Sequence, residues 1–589
     1  MSDAPGTLRD SLDYEPAPLK FGTSGRRGLV ADLTQLEVYI NALAELEYLQ
    51  GLPRAEGGIT RGEEFYFACD LRPSSDGLIS GNRVRGGLAQ AIAQAIEDAG
   101  MLPIFLGRIP TPALAYYALS RGRGSMMVTG SHIPFDRNGY KTNTAKGELL
   151  KRDEAPIQVR VEAVRGRAYQ QAPGESRFAA RGPQAGMFKA GSRNLPSEET
   201  MAAEDYVRRY TDFFAGQTLQ GIRLLVYQHS AVGRDLLVEL LRRFGAEVVP
   251  AGRSETFVPI DTEAIDQEQL SLIGALAAAA WKEHGPLDAV ISTDGDSDRP
   301  LVLGVEGSEA NAEPPCRVRF FGGDLVGMVV ADYLGVDAVV VPISCNDAVD
   351  RGALRDLVQP KTRIGSPFVI AGMQAAASGH QAVCGWEANG GFLLGSDITR
   401  GGRTLKALPT RDAFLPILSV LLNARESGLP LTALFDRLPR RFSRAAVLRQ
   451  FPRLTSEKIL ARFTPGGIHL REVLFEGGPT LLDEQGRQTA APPPAAAALS
   501  RVREELREFF DPSRGFGDIT RINFTDGVRL FFSNGDVAHL RPSGNADELR
   551  IYAVADTQQR ADEITSLAVA EPDGLLRQIE RFVMKQREL

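Results

Sequence analysis

A strand–helix–strand pattern recurs three times along this chain, and it constrains the fold more than any other feature. An apolar strand at residues 65–69 leads through a polar turn into a helical stretch ending near Gly100, then into a strand at 104–106. The pattern returns at 222–227, with a helix up to Phe244, a break at Gly245 and a strand at 247–249. A third copy is expected from 338–342, with a helix near 347–357 and a strand near 362–364. Strand–helix–strand units of this length pair their strands in parallel, which places the chain in the α/β class. Any two such units look alike at this resolution, so chance similarity stands beside a true repeat as a reading.

The last stretch differs. Its strands at 528–532, 537–540 and 549–555 alternate and meander, with helices expected at 497–510 and 560–568. It reads as a separate α+β domain. At 589 residues the chain exceeds one hydrophobic core, since domains run to about 100–200 residues. Segments 171–197, rich in Gly and Pro, and 489–497, rich in Pro and Ala, read as loops or insertions, and the sequence assigns neither a function.

A formal charge of −7 argues against a protein that coats nucleic acid, because no basic surplus exists to neutralise a phosphate backbone. Cys69, Cys316, Cys345 and Cys384 are far apart and form no C-x-x-C pair, so they are expected to be buried and unbridged in a reducing compartment. The N-terminus lacks the basic and apolar regions of a secretory signal. The Ala-rich run at 270–281 is too short to cross a bilayer, which needs about 20 apolar residues. A cytoplasmic protein with no membrane partner is expected.

Four loops carry chemistry. In Thr129-Gly-Ser-His-Ile-Pro134, followed by Asn138-Gly-Tyr-Lys141, Gly130 lets the chain turn sharply and present the Ser131 hydroxyl, with His132 beside it and Lys141 in reach. A serine hydroxyl needs a base or a charge to act as a nucleophile, and a Ser/His turn on its own is more often structural. In Thr293-Asp-Gly-Asp-Ser-Asp-Arg299, three carboxylates at alternate positions repel one another unless a hard cation sits among them. Oxygen ligands favour Mg²⁺ or Ca²⁺ over zinc. The EF-hand reading fails, because its glycine would fall at Arg299 and its glutamate at Val305. A solvated acidic turn is the plain alternative. Glu387-Ala-Asn-Gly-Gly391 offers a carboxylate and an amide to sugar hydroxyls, or is simply a turn. Arg541-Pro-Ser-Gly-Asn545 offers a forked guanidinium, side-chain donors and a backbone nest to a phosphate, or is a polar turn.

Together with Phe21-Gly-Thr-Ser-Gly-Arg-Arg-Gly28, these loops in this order resemble the α-D-phosphohexomutase superfamily, from about residue 20 to about residue 560. The resemblance implies three similar mixed-sheet α/β domains plus a C-terminal α+β domain around a central cleft, with bounds at 1–202, 203–316, 317–438 and 439–589. It implies a phosphoserine at Ser131 and Mg²⁺ held by Asp294, Asp296, Asp298 and an oxygen on Ser131. His132, Lys141 and Arg299 would assist proton transfer and stabilise charge, and Arg27 would bind near the transferred phosphoryl group. Glu387, Asn389 and Gly365 would bind the sugar, and Arg541, Ser543, Gly544 and Asn545 its phosphate. The partner would be a small sugar phosphate, with a hexose 1,6-bisphosphate as activator and intermediate, on a monomer or homodimer.

The chain departs from the family's usual text in places. T-A-S-H-N-P is replaced at Gly130 and Ile133, and in G-E-x-S-G-H, Asn389 stands for the serine and Gly391 for the histidine. The phosphate loop continues Asn545-Ala-Asp547 where Thr-Glu-Pro is usual. The expected activity is a phosphomannomutase, a phosphoglucomutase or both, because the Glu-Gln-Ser pattern of the glucosamine enzymes is absent. Alternatives are a phosphoglucosamine mutase, a Mg²⁺-dependent sugar phosphatase and a non-catalytic sugar-phosphate-binding protein.

Overall fold

The computed structural model describes the chain except residues 1–5, 23, 191–192, 264, 309–312, 465–469, 484–486, 543–546 and 586–589. Two compact units emerge: Met1–Val340 with Gly365–Phe435, and Val341–Ile364 with Asp436–Leu589.

The first unit holds three mixed sheets built on one plan. In the first sheet, Glu64–Cys69 pairs in parallel with Leu102–Arg108 and Ser125–Val128, and Arg137–Thr144 then returns antiparallel. In the second, Arg223–His229 is parallel to Glu247–Arg253 and Ala289–Thr293, with Pro300–Gly307 returning. In the third, Ala338–Val340 is parallel to Val383–Trp386, with Phe392–Leu394 returning. The central strands are buried runs such as Ala-Val-Ile-Ser-Thr at 289–293, as expected where helices cover both faces. In each sheet a loop joins the last parallel strand to the returning strand, at the carboxyl edge where open α/β sheets place their ligands.

The third repeat differs from its sequence reading. The helix expected near 347–357 is two short 3₁₀ turns, Asp347–Asp350 and Arg355–Leu357, and the strand near 362–364 is a single bridge from Thr362 to Pro342. The true crossover helix is Ser366–Ala376. Gly352 breaks the first stretch, and Pro360 keeps the residue before it out of helical backbone.

Segment 171–197 is irregular, as a loop or insertion should be, and part of it packs into the core. Phe178 and Phe188 bridge antiparallel, stack at 4.9 Å between ring centres and join the core of the first sheet. The 489–497 segment is no loop: Gln488–Ala490 is a strand, and a helix runs Pro493–Phe509 with prolines in its first turn, where their missing N–H groups cost nothing.

The second unit carries an antiparallel eight-stranded sheet in which Phe442–Arg449, Glu548–Ala555, Val537–Pro542 and Val528–Phe532 are successive neighbours. Helices Gln558–Val569 and Leu575–Lys585 pack on it, giving the expected α+β organisation. All four cysteines are buried, and none is in a disulfide. Among the described residues no helix is long and apolar enough to cross a membrane.

Candidate active site

Two of the strand-end loops meet backbone to backbone. A Cβ on Gly295 would stand 2.8 Å from the carbonyl oxygen of Ser131, so only glycine permits the approach. The contact brings Ser131 Oγ within 2.9 Å of Asp294 Oδ2, to which it donates. Both loops hold a non-glycine residue in left-handed backbone, Ser131 at φ 55° and Ser297 at φ 56°. Such residues cost about 1–3 kcal/mol and persist only where their surroundings enforce them.

The enforcement is visible. Ser131 N–H donates to Thr129 Oγ1, and Thr129 donates to Asp70. Arg72, fully buried, donates to the carbonyls of Ser131, Ile133, Pro134 and Arg137 at 2.5–2.9 Å, and its Nε lies 3.3 Å from Asp70. It also accounts for Gly130, because a Cβ there would lie 2.5 Å from the guanidinium carbon. In the acidic loop, Asp294 Oδ1 accepts N–H bonds from Asp298 and Arg299, and Ser297 accepts one from Gly233.

Asp294, Asp296 and Asp298 are buried, with one carboxylate oxygen of each inside a common 4.8 Å cluster. Lys141 Nζ bridges Asp296 and Asp298 at 2.7 and 2.6 Å, Thr111 donates to Asp296 at 2.6 Å, and Arg411 donates to Asp298 at 2.9 Å. These partners all use the Oδ2 atoms, and Asp296 Oδ1 and Asp298 Oδ1 have no hydrogen bond. Buried carboxylate oxygens without donors are expensive, and a hard divalent cation is the ligand that such a set fits. Burial, then Asp296 and Asp298, push Asp294 well above the carboxylate range. Burial would raise the other two as well, but Lys141 and Arg411 hold Asp296 low, and Arg411 and Lys141 hold Asp298 low.

Arg299 NH1 lies 2.9 Å from His132 Nδ1, and Ser131 Oγ lies 3.5 Å from the same nitrogen. With Arg299 as donor, a neutral His132 carries its proton on Nε2. Arg27 donates to the carbonyls of Arg26 and Tyr140. Desolvation brings it down to about 10, against the pull of Asp296, so it stays charged at neutral pH.

The third loop is a tight turn between Trp386 and Phe392. Glu387 N–H donates to the Gly391 carbonyl, Gly391 N–H donates to Asn389 Oδ1, and Thr262 holds the Asn389 carbonyl at 2.7 Å. Glu387 Oε2 accepts from Arg411 NH1 at 3.1 Å. Arg411 thus joins the acidic loop to this turn. Burial alone would lower it, but Asp298, Glu387 and Glu148 raise it well above its ordinary value. It also occupies the space at Gly391, where a Cβ would lie 2.3 Å from its Cδ. Gly365, at φ 128°, caps the helix that begins with Ser366. In the second unit, Arg541 Nε lies 3.2 Å from Asp526, and Ser543, Gly544 and Asn545 fall outside the described residues.

Four family models match in order: phosphoglucomutase/phosphomannomutase alpha/beta/alpha domain I over residues 18–166, domain II over 204–307, domain III over 322–442 and the C-terminal domain over 485–570. The chain belongs to this family. It is 34% identical to a phosphomannomutase of Salmonella muenchen over 94% of this chain and 95% of that protein. A phosphomannomutase of Sinorhizobium fredii is also 34% identical, over 94% of this chain and 98% of the relative. A solved phosphoglucomutase/phosphomannomutase family protein from Burkholderia thailandensis has the same fold, with a TM-score of 0.56 at 17% identity over 95% of this chain and 97% of the other.

Within the family frame, the sequence reading missed Asp70, Arg72, Thr111, Glu148, Ser366 and Arg411. The signal for the first two was charged residues directly after the buried strand Glu64–Cys69. Arg411 lies in Leu408–Asp412, whose last three residues, Thr-Arg-Asp, are polar but buried, and buried charge in a strand asks for a partner.

Proposed function

We propose that this chain is a phosphohexomutase that moves a phosphoryl group between O1 and O6 of a hexose phosphate, with mannose and glucose phosphates as its substrates. The observation that carries the reading is the Ser131 hydroxyl, held in strained backbone 2.9 Å from Asp294 beside two carboxylates with unused oxygens. The similarity to two phosphomannomutases over almost the whole chain supports the same reaction.

In this reading Ser131 carries the phosphoryl group. Asp294, Asp296 and Asp298 with the Ser131 oxygen would hold Mg²⁺, which supplies charge stabilisation to phosphoryl transfer. Arg72 fixes the serine loop, Arg299 and Lys141 balance the carboxylates, and His132 takes or returns the sugar's hydroxyl proton at Nδ1 when Arg299 releases that nitrogen. Glu387 and Asn389 hold sugar hydroxyls beside Gly365, Arg27 binds near the transferred group, and Arg541 receives the phosphate that stays. Transfer from Ser131 gives a hexose 1,6-bisphosphate, which turns round and returns its other phosphate to Ser131. The domains are 1–202, 203–316, 317–438 and 439–589.

The test combines peptide mass spectrometry of Ser131 with assays on mannose, glucose and glucosamine 1-phosphates, each with a trace of its 1,6-bisphosphate. A phosphorylated Ser131 and 1-to-6 interconversion of mannose and glucose phosphates are expected. Steady release of inorganic phosphate would make the chain a phosphatase, and full activity of Ser131→Ala would end the proposal.

A further inference from the structure

Glu148 is a buried carboxylate to which nothing so far assigns a task. It closes the short strand Gly147–Glu148 on the edge of Arg137–Thr144. Its Oε2 accepts from Ser366 Oγ at 2.6 Å and lies 3.4 Å from Ser24 Oγ, and its Oε1 accepts from Thr410 Oγ1 at 2.7 Å. Each hydroxyl stands beside a residue of the proposed site. Ser24 belongs to the stretch that carries Arg27, Ser366 follows Gly365, and Thr410 precedes Arg411. The donors are neutral, so the charge of Glu148 is answered across a hydroxyl by Arg411, whose NH1 lies 3.5 Å from the same Ser366 Oγ.

The consequence follows from geometry. Arg411 spans Asp298 and Glu387 with two different nitrogens, at 2.9 and 3.1 Å. A guanidinium fixed at two points can still pivot about the line joining them, and the Ser366 contact is a third point. Glu148 decides where that hydroxyl points, because Ser366 must spend its only hydrogen on the carboxylate and turn a lone pair elsewhere. Thr410 ties the backbone next to Arg411 to the other oxygen of the same carboxylate. We propose that Glu148 is a positioning residue for the mutase reaction, setting Arg411 through Ser366 and Thr410 and, through Arg411, the Glu387 carboxylate that holds the sugar.

This inference rests on the mutase reading, and wild-type enzyme separates the two. A wild-type protein that fails to interconvert hexose phosphates ends that reading and takes the inference with it. With wild-type activity in hand, Glu148→Gln keeps the shape but turns one acceptor into a donor and removes the charge. It should lower kcat about 10- to 100-fold, with KM changed by less than about threefold and Ser131 still phosphorylated. In an Arg411→Lys background the same substitution should cost less than about threefold, because the group it acts through has already been displaced. Ser366→Ala, which cuts one relay, should give an intermediate loss and serves if Glu148→Gln does not fold. Unchanged kcat in Glu148→Gln, or an equal loss in both backgrounds, overturns the proposal and leaves Glu148 a structural tie.

Discussion

Adding one methyl group at Gly391 tests whether Arg411 has taken the room that a side chain there would need. The added Cβ would stand 2.3 Å from Arg411 Cδ and 2.6 Å from Cγ. Carbon atoms rest at about 3.5–4.0 Å, so the stem must retreat by about 1.2 Å. Its head cannot follow freely, being held by Asp298 at 2.9 Å and Glu387 at 3.1 Å. Overpacking of this kind costs about 1–3 kcal/mol, and breaking one charge-assisted bond instead costs about 1.5–3 kcal/mol. Loss of glycine freedom in the unfolded chain returns about 0.4–1 kcal/mol, leaving a destabilisation of up to about 2.6 kcal/mol. Urea unfolding of Gly391→Ala against Gly379→Ala measures it, since a Cβ at Gly379 meets nothing within 4 Å. The kcat of Gly391→Ala should fall as well, because the displaced guanidinium loses its grip on Glu387. Equal stability of the two variants, with wild-type kcat in both, would refute the account of the missing loop histidine.

Arg72→Lys replaces a guanidinium that serves four carbonyls with a single ammonium; it should cost at least about 2 kcal/mol in urea unfolding and lower the phosphorylated fraction of Ser131 by mass spectrometry, and wild-type values of both would refute the account of the strained serine. Asp296→Asn should abolish turnover and weaken Mg²⁺ binding in a metal titration, and full activity would count against the cation site. Burial pushes His539 down to about 3, with its Nε2 2.6 Å from the Asp526 carbonyl. Its unfolded form titrates near 6.5, so the native state is favoured fully above that pH and loses stability as pH falls from 6.5 towards 3. By pH 5 the loss from this group is about 2 kcal/mol. In His539→Gln the stability difference between pH 7 and pH 5 should shrink by about that amount, and an unchanged difference would sink the assignment.

The loops were legible because their chemistry is local. Asp294, Asp296 and Asp298 alternate on one turn and can only crowd one another, and Ser131 sits between Gly130 and His132 in a stretch that must bend. The strands were legible from apolar runs such as 289–293. What escaped was the framework between distant segments. Arg72 lies 59 positions from Ser131, whose carbonyl it holds, and Arg411 lies 113 positions from Asp298, and no spacing rule reaches that far. The misplaced third helix has a different cause. Residues 347–357 carry several helix-favouring side chains, but Gly352 and the nearby Pro360 leave only two short turns, whereas 366–376 begins Ser-Pro after the N-cap Gly365, with proline in the first turn as a start signal.

Charge balance ties the site together. Asp294, Asp296 and Asp298 face Lys141, Arg299 and Arg411, so three buried carboxyl groups meet three cations. The equality is not spare capacity, since Arg411 also answers Glu387 and stands one hydroxyl from Glu148. A phosphoryl group on Ser131 would add about −1.5 to −2 beside Asp294, the carboxylate already pushed furthest towards holding a proton. Lys141, Arg299 and Arg411 cannot meet that charge without abandoning a carboxylate, and Arg27, which donates to the carbonyls of Arg26 and Tyr140, adds one positive charge at most. A divalent cation on the unused oxygens of Asp296 and Asp298 would restore neutrality where the deficit arises. Phosphorylation of Ser131 therefore adds negative charge that the protein's own cations do not fully meet, and a divalent cation would offset it. Phosphorylated Ser131 should accordingly survive dialysis against a chelator less well than it survives storage with Mg²⁺, and equal survival would place the phosphate away from the acidic loop.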